Sequence, residues 1–164
     1  MKALKQAIMA FLFMFGLWLL IAGTDPQELI VGGIVSLLIS LFFLRKTGIY
    51  SDFRLTPKSI VYFVLYVFVF MWELLKSNLD VAFRVIQPTL PINPGIVRVK
   101  TSLKSPLARI LLANSITLTP GTLTVDTDGE DYYIHWIDVT AKDVQGASEK
   151  IVRTFEKYLE VIFG

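Results

Sequence analysis

Hydrophobic and polar positions divide the chain into two regimes. In the first half, apolar residues run almost unbroken through 7–22, 29–44 and 60–75, the last interrupted by Glu73. Each run would make a helix about 24 Å long, short of the roughly 30 Å hydrocarbon core of a bilayer. Such helices tilt little, thin the bilayer locally, or stop part-way inside a larger assembly. Beyond residue 75 the third run changes character. Glu73, Lys76, Asp80 and Arg84 follow at i, i+3 and i+4 spacing with alternating sign, while Leu75, Leu79, Ala82 and Ile86 take the other side. This predicts an amphipathic extension to about Ile86, ending at Gln87-Pro88, that leaves the bilayer obliquely or lies along its surface.

The second half alternates on shorter periods. Pro88, Pro91 and Pro94 stiffen a linker over 88–95. A strand is expected over 96–101, then a helix capped by Ser105 with Pro106 at its first position, apolar through Leu118. Strands over 122–127 and 132–139 meet at Asp128-Gly129, a hairpin signal. One charged amphipathic helix is expected from about 143 to 162. The order β-α-β-β-α predicts a small sandwich, one sheet with helices on one face. The fold class is therefore an α+β membrane protein. Two to three N-terminal membrane helices fill 1–87 (about 7–22, 29–44 and 59–87 with its extension), the Pro-rich linker spans 88–95, and a small soluble domain spans 96–164. A domain of about 70 residues is near the lower limit for an independent core, so docking onto a partner or membrane would support it.

The stretch 111–126 organises this domain. Pro120 has no backbone N–H and pushes Thr119 out of the helical region. Gly121 can take the positive φ of a sharp reversal, and Thr122, Thr124 and Val125 suit a strand. Asn114, Thr117, Thr119, Pro120, Gly121 and Thr122 form one motif: an apolar helix delivered into a sheet through a fixed turn. Residues 112–125, Leu-Ala-Asn-Ser-Ile-Thr-Leu-Thr-Pro-Gly-Thr-Leu-Thr-Val, followed by Tyr-Ile-His-Trp-Ile-Asp-Val at 133–139, resemble the E subunit of Mrp-type cation/proton antiporters. The likeness extends over the whole chain, including the Pro91-x-x-Pro94-Gly95-Ile96 junction. It implies an accessory subunit of a multisubunit sodium(potassium)/proton antiporter, multi-pass in the cell membrane, with a cytoplasmic C-terminal domain. The implied partners are other hydrophobic subunits, related to the membrane arm of respiratory complex I, and the lipid bilayer. Na+ (or K+) and H+ move at the level of the complex. The family assigns no chemistry to the motif residue by residue. The expected role is support of assembly, with a share in lining ion access as a further expectation.

Composition agrees with membrane residence: 54% of the 164 residues are hydrophobic. The formal charge of +2 is too small to argue for nucleic acid. No cysteine is present, which excludes a disulfide framework and a thiolate site. The apolar N-terminal run exceeds a usual signal core and Ile21-Ala22-Gly23 is a poor cleavage site, so a retained anchor is expected. Charge placement raises a difficulty. The first loop holds only Asp25 and Glu28, whereas Lys2, Lys5, Arg45, Lys46, Arg54 and Lys58 flank the outer ends of the first two runs. Both ends of that hairpin should then be cytoplasmic. A third run that crossed fully would carry the C-terminal domain to the outside, against what the resemblance implies. Either the third helix does not cross normally or the charge rule fails here.

Few constellations carry chemistry. His135, the only histidine, lies in a strand beside Trp136, and no second histidine or cysteine completes a zinc set. Asp126, Asp128, Glu130 and Asp131 crowd the hairpin tip without calcium-loop spacing. Residues 119–122 run from helix to strand, the reverse of a phosphate loop. No cofactor, metal or catalytic set is expected, and an enzyme is disfavoured. Gly32, Ser36 and Ser40 recur every four residues and form a small-residue stripe for close helix contact. Glu73 admits two readings, a carboxylate on a hydrated cation or proton approach, or the polar side of an interfacial helix paired with Lys76. A membrane-anchored interaction module unrelated to transport is the alternative function class.

Overall fold

The computed structural model describes residues 2–44, 54 and 56–164; Arg45 and Lys46 of the charge argument lie outside them. The chain forms two compact units, Met1–Phe53 and Arg54–Gly164. Among the described residues there are six helices and one three-stranded sheet.

The first unit is a helical hairpin of α1 (Lys2–Ala22) and α2 (Pro26–Leu44). Gly23 closes α1 at φ +86°, its N–H returning to the Leu19 carbonyl at 3.1 Å, and Pro26 starts α2 with the fixed φ a first turn needs. The stripe on α2 is turned inward. A side chain at Gly32 would collide with the Trp18 indole of α1, and Ser36 and Ser40 are buried. Ser40 donates its hydroxyl to the Leu37 carbonyl at 2.8 Å, which lets it lie buried without a partner on another helix. The apolar stretches Ala7–Ala22 and Pro26–Phe42 are short for a span; among the described residues only Pro57–Ile86 is long and apolar enough to cross a membrane. Two to three N-terminal membrane helices therefore do not follow from helix length.

The second unit opens with α3 (Pro57–Ile86), one unbroken helix about 45 Å long. Thr56 caps it, Oγ1 accepting from the Ser59 N–H at 3.1 Å, and Pro57 takes the first position. Then follow β1 (Gly95–Lys100), α4 (Pro106–Leu118), β2 (Thr122–Asp128), β3 (Asp131–Trp136), α5 (Val144–Ile151) and α6 (Arg153–Phe163). The sheet order is β1-β3-β2, all antiparallel, with Val97 opposite Ile134 and Val99 opposite Tyr132. A bulge sets the register between Thr124 and Asp126, and the Gly129-Glu130 loop needs positive φ only at Gly129, +57°. Val99, Tyr132 and Ile134 of the sheet, Leu112 and Ile116 of α4, and Ile151, Phe155 and Leu159 of the C-terminal helices are buried and make up the core.

Two differences from the sequence reading matter. The compact unit begins ahead of α3, whereas the expected boundary lay in the 88–95 linker. The reason is that α3 packs along α6: Ser59 donates to the Val161 carbonyl at 3.2 Å, and Tyr62 meets Tyr158 and Tyr66 meets Phe155 at 6.2 and 6.4 Å between ring centroids. The terminal helix is not continuous. It breaks at Val152, where the Phe155 N–H reaches back only three residues, at 3.1 Å. The tighter turn keeps Ile151 and Val152, as well as Phe155 and Leu159, on the buried side.

Three outcomes follow from this packing. Gly121 has φ +94°, and a Cβ there would sit 3.0 Å from Cγ2 of Ile137. Gly121→Val should cost about 1–3 kcal/mol and lower the amount of folded subunit, measured by immunoblot of membranes. Gly129→Ala, in open space, should cost less. Ser36→Leu should lower the melting temperature of the purified protein in detergent by overpacking the hairpin, while Leu38→Ala, on an exposed position, should not. Burial pushes the Tyr132 hydroxyl from its ordinary value near 10 up to about 12. The folded state thus holds its proton longer than the unfolded chain does. Its contribution is complete below pH 10 and is lost as pH rises towards 12. Melting curves across that window should fall less steeply for Tyr132→Phe than for wild type.

Candidate functional site

The charged face of α3 and the Thr119–Thr122 turn, which sequence alone left as separate features, line one cleft of about 360 Å³ within the second unit. One wall is Glu73, Lys76, Ser77, Asp80 and Arg84 of α3. The floor is residues 119–122, and the far wall is Trp136, Ile137, Asp138 and Thr140, with Lys150 and Thr154 from α5 and α6.

Arg84 closes one end. Its Nε donates to Asp80 Oδ2 at 2.7 Å, and Nη1 reaches Asp138 Oδ2 at 3.0 Å and the Pro91 carbonyl at 2.7 Å. One planar guanidinium thus ties α3, the 88–95 linker and the end of the sheet, a task suited to its fixed fork of donors. The linker is held further by Asn93, whose N–H donates to the Ile137 carbonyl and whose carbonyl accepts from Val139, at 3.1 and 2.8 Å. At the other end Glu73 pairs with Lys76 at 3.3 Å. Lys76 is largely exposed there, so this pair adds little to stability. Three acids (Glu73, Asp80, Asp138) and three bases (Lys76, Arg84, Lys150) line the cleft. Opposite charges balance, so the lining carries no net formal charge.

The turn is saturated by its own threonines. Thr119 donates its hydroxyl to the Ser115 carbonyl at 2.7 Å, and Thr122 donates to those of Ile116 and Thr119 at 2.6 and 2.9 Å. Thr117 Oγ1 accepts from the Thr124 N–H at 3.1 Å. The carbonyls that end α4 are thereby satisfied within the fold. Asn114 and Thr117 do not line the cleft, and Gly32, Ser36 and Ser40 belong to the other unit. His135 is exposed on the outer sheet face, in register with Ile96 and Leu123. Among the described residues no group of three or more His, Cys, Asp or Glu could hold a metal.

Three residues that the sequence did not single out carry much of this geometry. Tyr66 hydrogen-bonds Ser115 across 49 positions. Glu156 is buried and accepts from Thr101 Oγ1 and the Ser102 N–H at 2.7 and 2.6 Å, pinning α6 beneath the end of β1. Lys150 donates to Thr140 Oγ1 at 2.9 Å on the cleft wall. A tyrosine inside an apolar run is a weak signal of a buried hydroxyl bond. Nothing in the spacing marks Glu156 or Lys150.

Known proteins share this architecture. A family model described as "Na+/H+ ion antiporter subunit" (MNHE) matches residues 11–162. The Na(+)/H(+) antiporter E1 subunit of Staphylococcus haemolyticus is 34% identical over 160 residues, covering 90% of this chain and 95% of that protein. The Na(+)/H(+) antiporter E subunit of Alkalihalophilus pseudofirmus is 38% identical over 136 residues, covering 79% and 80%. A chain of the membrane-bound sulfane sulfur reductase, an archaeal respiratory membrane complex, is 48% identical with a TM-score of 0.85, over 97% of this chain and 99% of that one. The chain belongs to the family of Na+/H+ antiporter E subunits, proteins of multisubunit membrane complexes.

Proposed function

We propose that the chain is an accessory subunit that supports assembly of a multisubunit sodium(potassium)/proton antiporter. In this reading α1 and α2 cross the cell membrane as a hairpin. The sheet domain is cytoplasmic, and Na+ (or K+) and H+ move through partner subunits. The observation that carries it is the Arg84 junction. The charged face of α3, the one feature of the sequence that resembled an ion approach, is spent on holding linker, sheet and helix together in a charge-balanced cleft. Glu73 accordingly belongs to the polar side of a docked helix, with Lys76 as its partner. An interaction module unrelated to transport has no support from the antiporter relatives.

A second reading has its own observation. The 48% identical chain comes from a respiratory complex. This subunit would then serve a redox-linked assembly built on the same membrane parts. Purification of a tagged chain from mild detergent separates the two: antiporter subunits alone favour the first, and additional redox proteins the second. A lone monomer would count against both.

Arg84→Ala should reduce the assembled complex, with antiport falling in step, because it strips three partners at once. The loss of subunit stability should be read as an earlier unfolding midpoint by denaturation in detergent. Glu73→Gln keeps size and most hydrogen bonding while deleting the charge. It should assemble and transport as wild type across the pH range in vesicle antiport assays. Intact assembly with weakened, pH-shifted antiport would return Glu73 to the ion path.

A further inference from the structure

Helix α3 passes the length and hydropathy criteria for a membrane span, yet its packing is incompatible with an ordinary crossing. The C-terminal domain lies beside it from end to end. Contacts begin at Ser59 with Val161, continue through Tyr66 and Phe70 with Phe155, and finish at Arg84 with Asp138. Twenty-five residues of helix separate the first contact from the last, about 37 Å along the axis, more than the hydrocarbon thickness. A bilayer placed around the apolar half of α3 would have to enclose α6, which carries Arg153, Glu156, Lys157 and Glu160 in eleven residues. Charges at such depth are costly.

The opposite face of α3 is apolar along nearly its whole length. Val64, Phe68, Trp72, Leu75, Leu79 and Phe83 form one stripe at helical spacing, with Phe68 70% and Trp72 63% exposed. Glu73, Asp80 and Arg84 point instead to the cleft, and the basic Lys58 and Arg54 mark the N-terminal end. A wide apolar stripe with aromatics, opposite a polar docked face, is the pattern of a helix lying in a membrane interface. The chain enters it only twelve residues after α2, the end of an apolar hairpin.

We propose that α3 does not cross the bilayer but lies in its plane, the 64–83 stripe seated in the lipid interface and the sheet domain on its aqueous side. Lipid is the occupant, because the stripe is long, lacks charge and belongs to a chain anchored through its N-terminal helices. This rests on the membrane-subunit reading, and it resolves the charge difficulty. Two crossings leave both ends of the hairpin on the basic, cytoplasmic side, and a third helix that stays in plane keeps the C-terminal domain there.

The chain contains no cysteine, so single-cysteine variants report alone when the tagged chain is analysed. In right-side-out and inverted membrane vesicles carrying the assembled complex, Lys58→Cys and Asn114→Cys should react with a membrane-impermeant maleimide from the same face. Reaction from opposite faces would overturn the proposal. Nitroxides on Phe68→Cys and Phe83→Cys should relax several-fold more with oxygen than with a water-soluble nickel chelate, unlike Asn114→Cys. Nickel dominance would place the stripe in water, and exclusion of both relaxants would place a neighbouring subunit on it; either result sinks the lipid assignment. Copurification with partners, by contrast, tests the subunit reading and does not depend on which way α3 lies.

Discussion

Tyr66 stands where α3, α4 and α6 meet, its hydroxyl bonded to Ser115 and its ring edge-on to Phe155. Buried hydroxyls need partners and buried rings need complementary surfaces, and one side chain here satisfies both. Because α3 is fixed at this point, its remaining contacts are largely set by helix geometry. Tyr62 and Ser59 fall one and two turns earlier against α6, and Glu73, Asp80 and Arg84 fall later on the same side, facing the turn and the end of the sheet. A small domain near the lower size limit thereby gains a long helix as a fourth wall.

The charged residues of α3 follow from that constraint. A helix in contact with a polar domain on one side places its ionisable side chains there, where Asp138 and the Pro91 carbonyl are available to Arg84. Balanced charges at a docked face confer register and orientation. The threonine-rich turn has the same character. Its hydroxyls complete the α4 carbonyls, so the turn ends one helix cleanly and launches a strand.

The remaining exposed apolar surface is not scattered. Most of it lies on α1, α2 and α3, with a smaller share, including Ile96, Leu123 and Val125, on the outer face of the sheet. Monomeric soluble proteins rarely leave continuous patches of this extent bare. The relatives belong to multisubunit membrane assemblies.

Much of the architecture was legible without coordinates, because local rules governed it. Ser105 and Pro106 fixed the start of α4, Thr119-Pro120-Gly121 its end, and Asp128-Gly129 the hairpin; each depends on backbone sterics or a cap within a few residues. The apolar runs likewise announced three helices, and the acids and bases of α3 announced its polar face. What only the tertiary structure decided were relations between distant residues. Tyr66 finds Ser115, Glu156 finds Thr101, and Arg84 finds Asp138, over separations of 49, 55 and 54 positions. No periodicity encodes such pairs. The boundary ahead of α3, the break at Val152 and the union of charged face with turn in one cleft all depend on them. Each was set by which surfaces could be buried together once the helices met, a property of packing in three dimensions that hydrophobic pattern constrains without selecting.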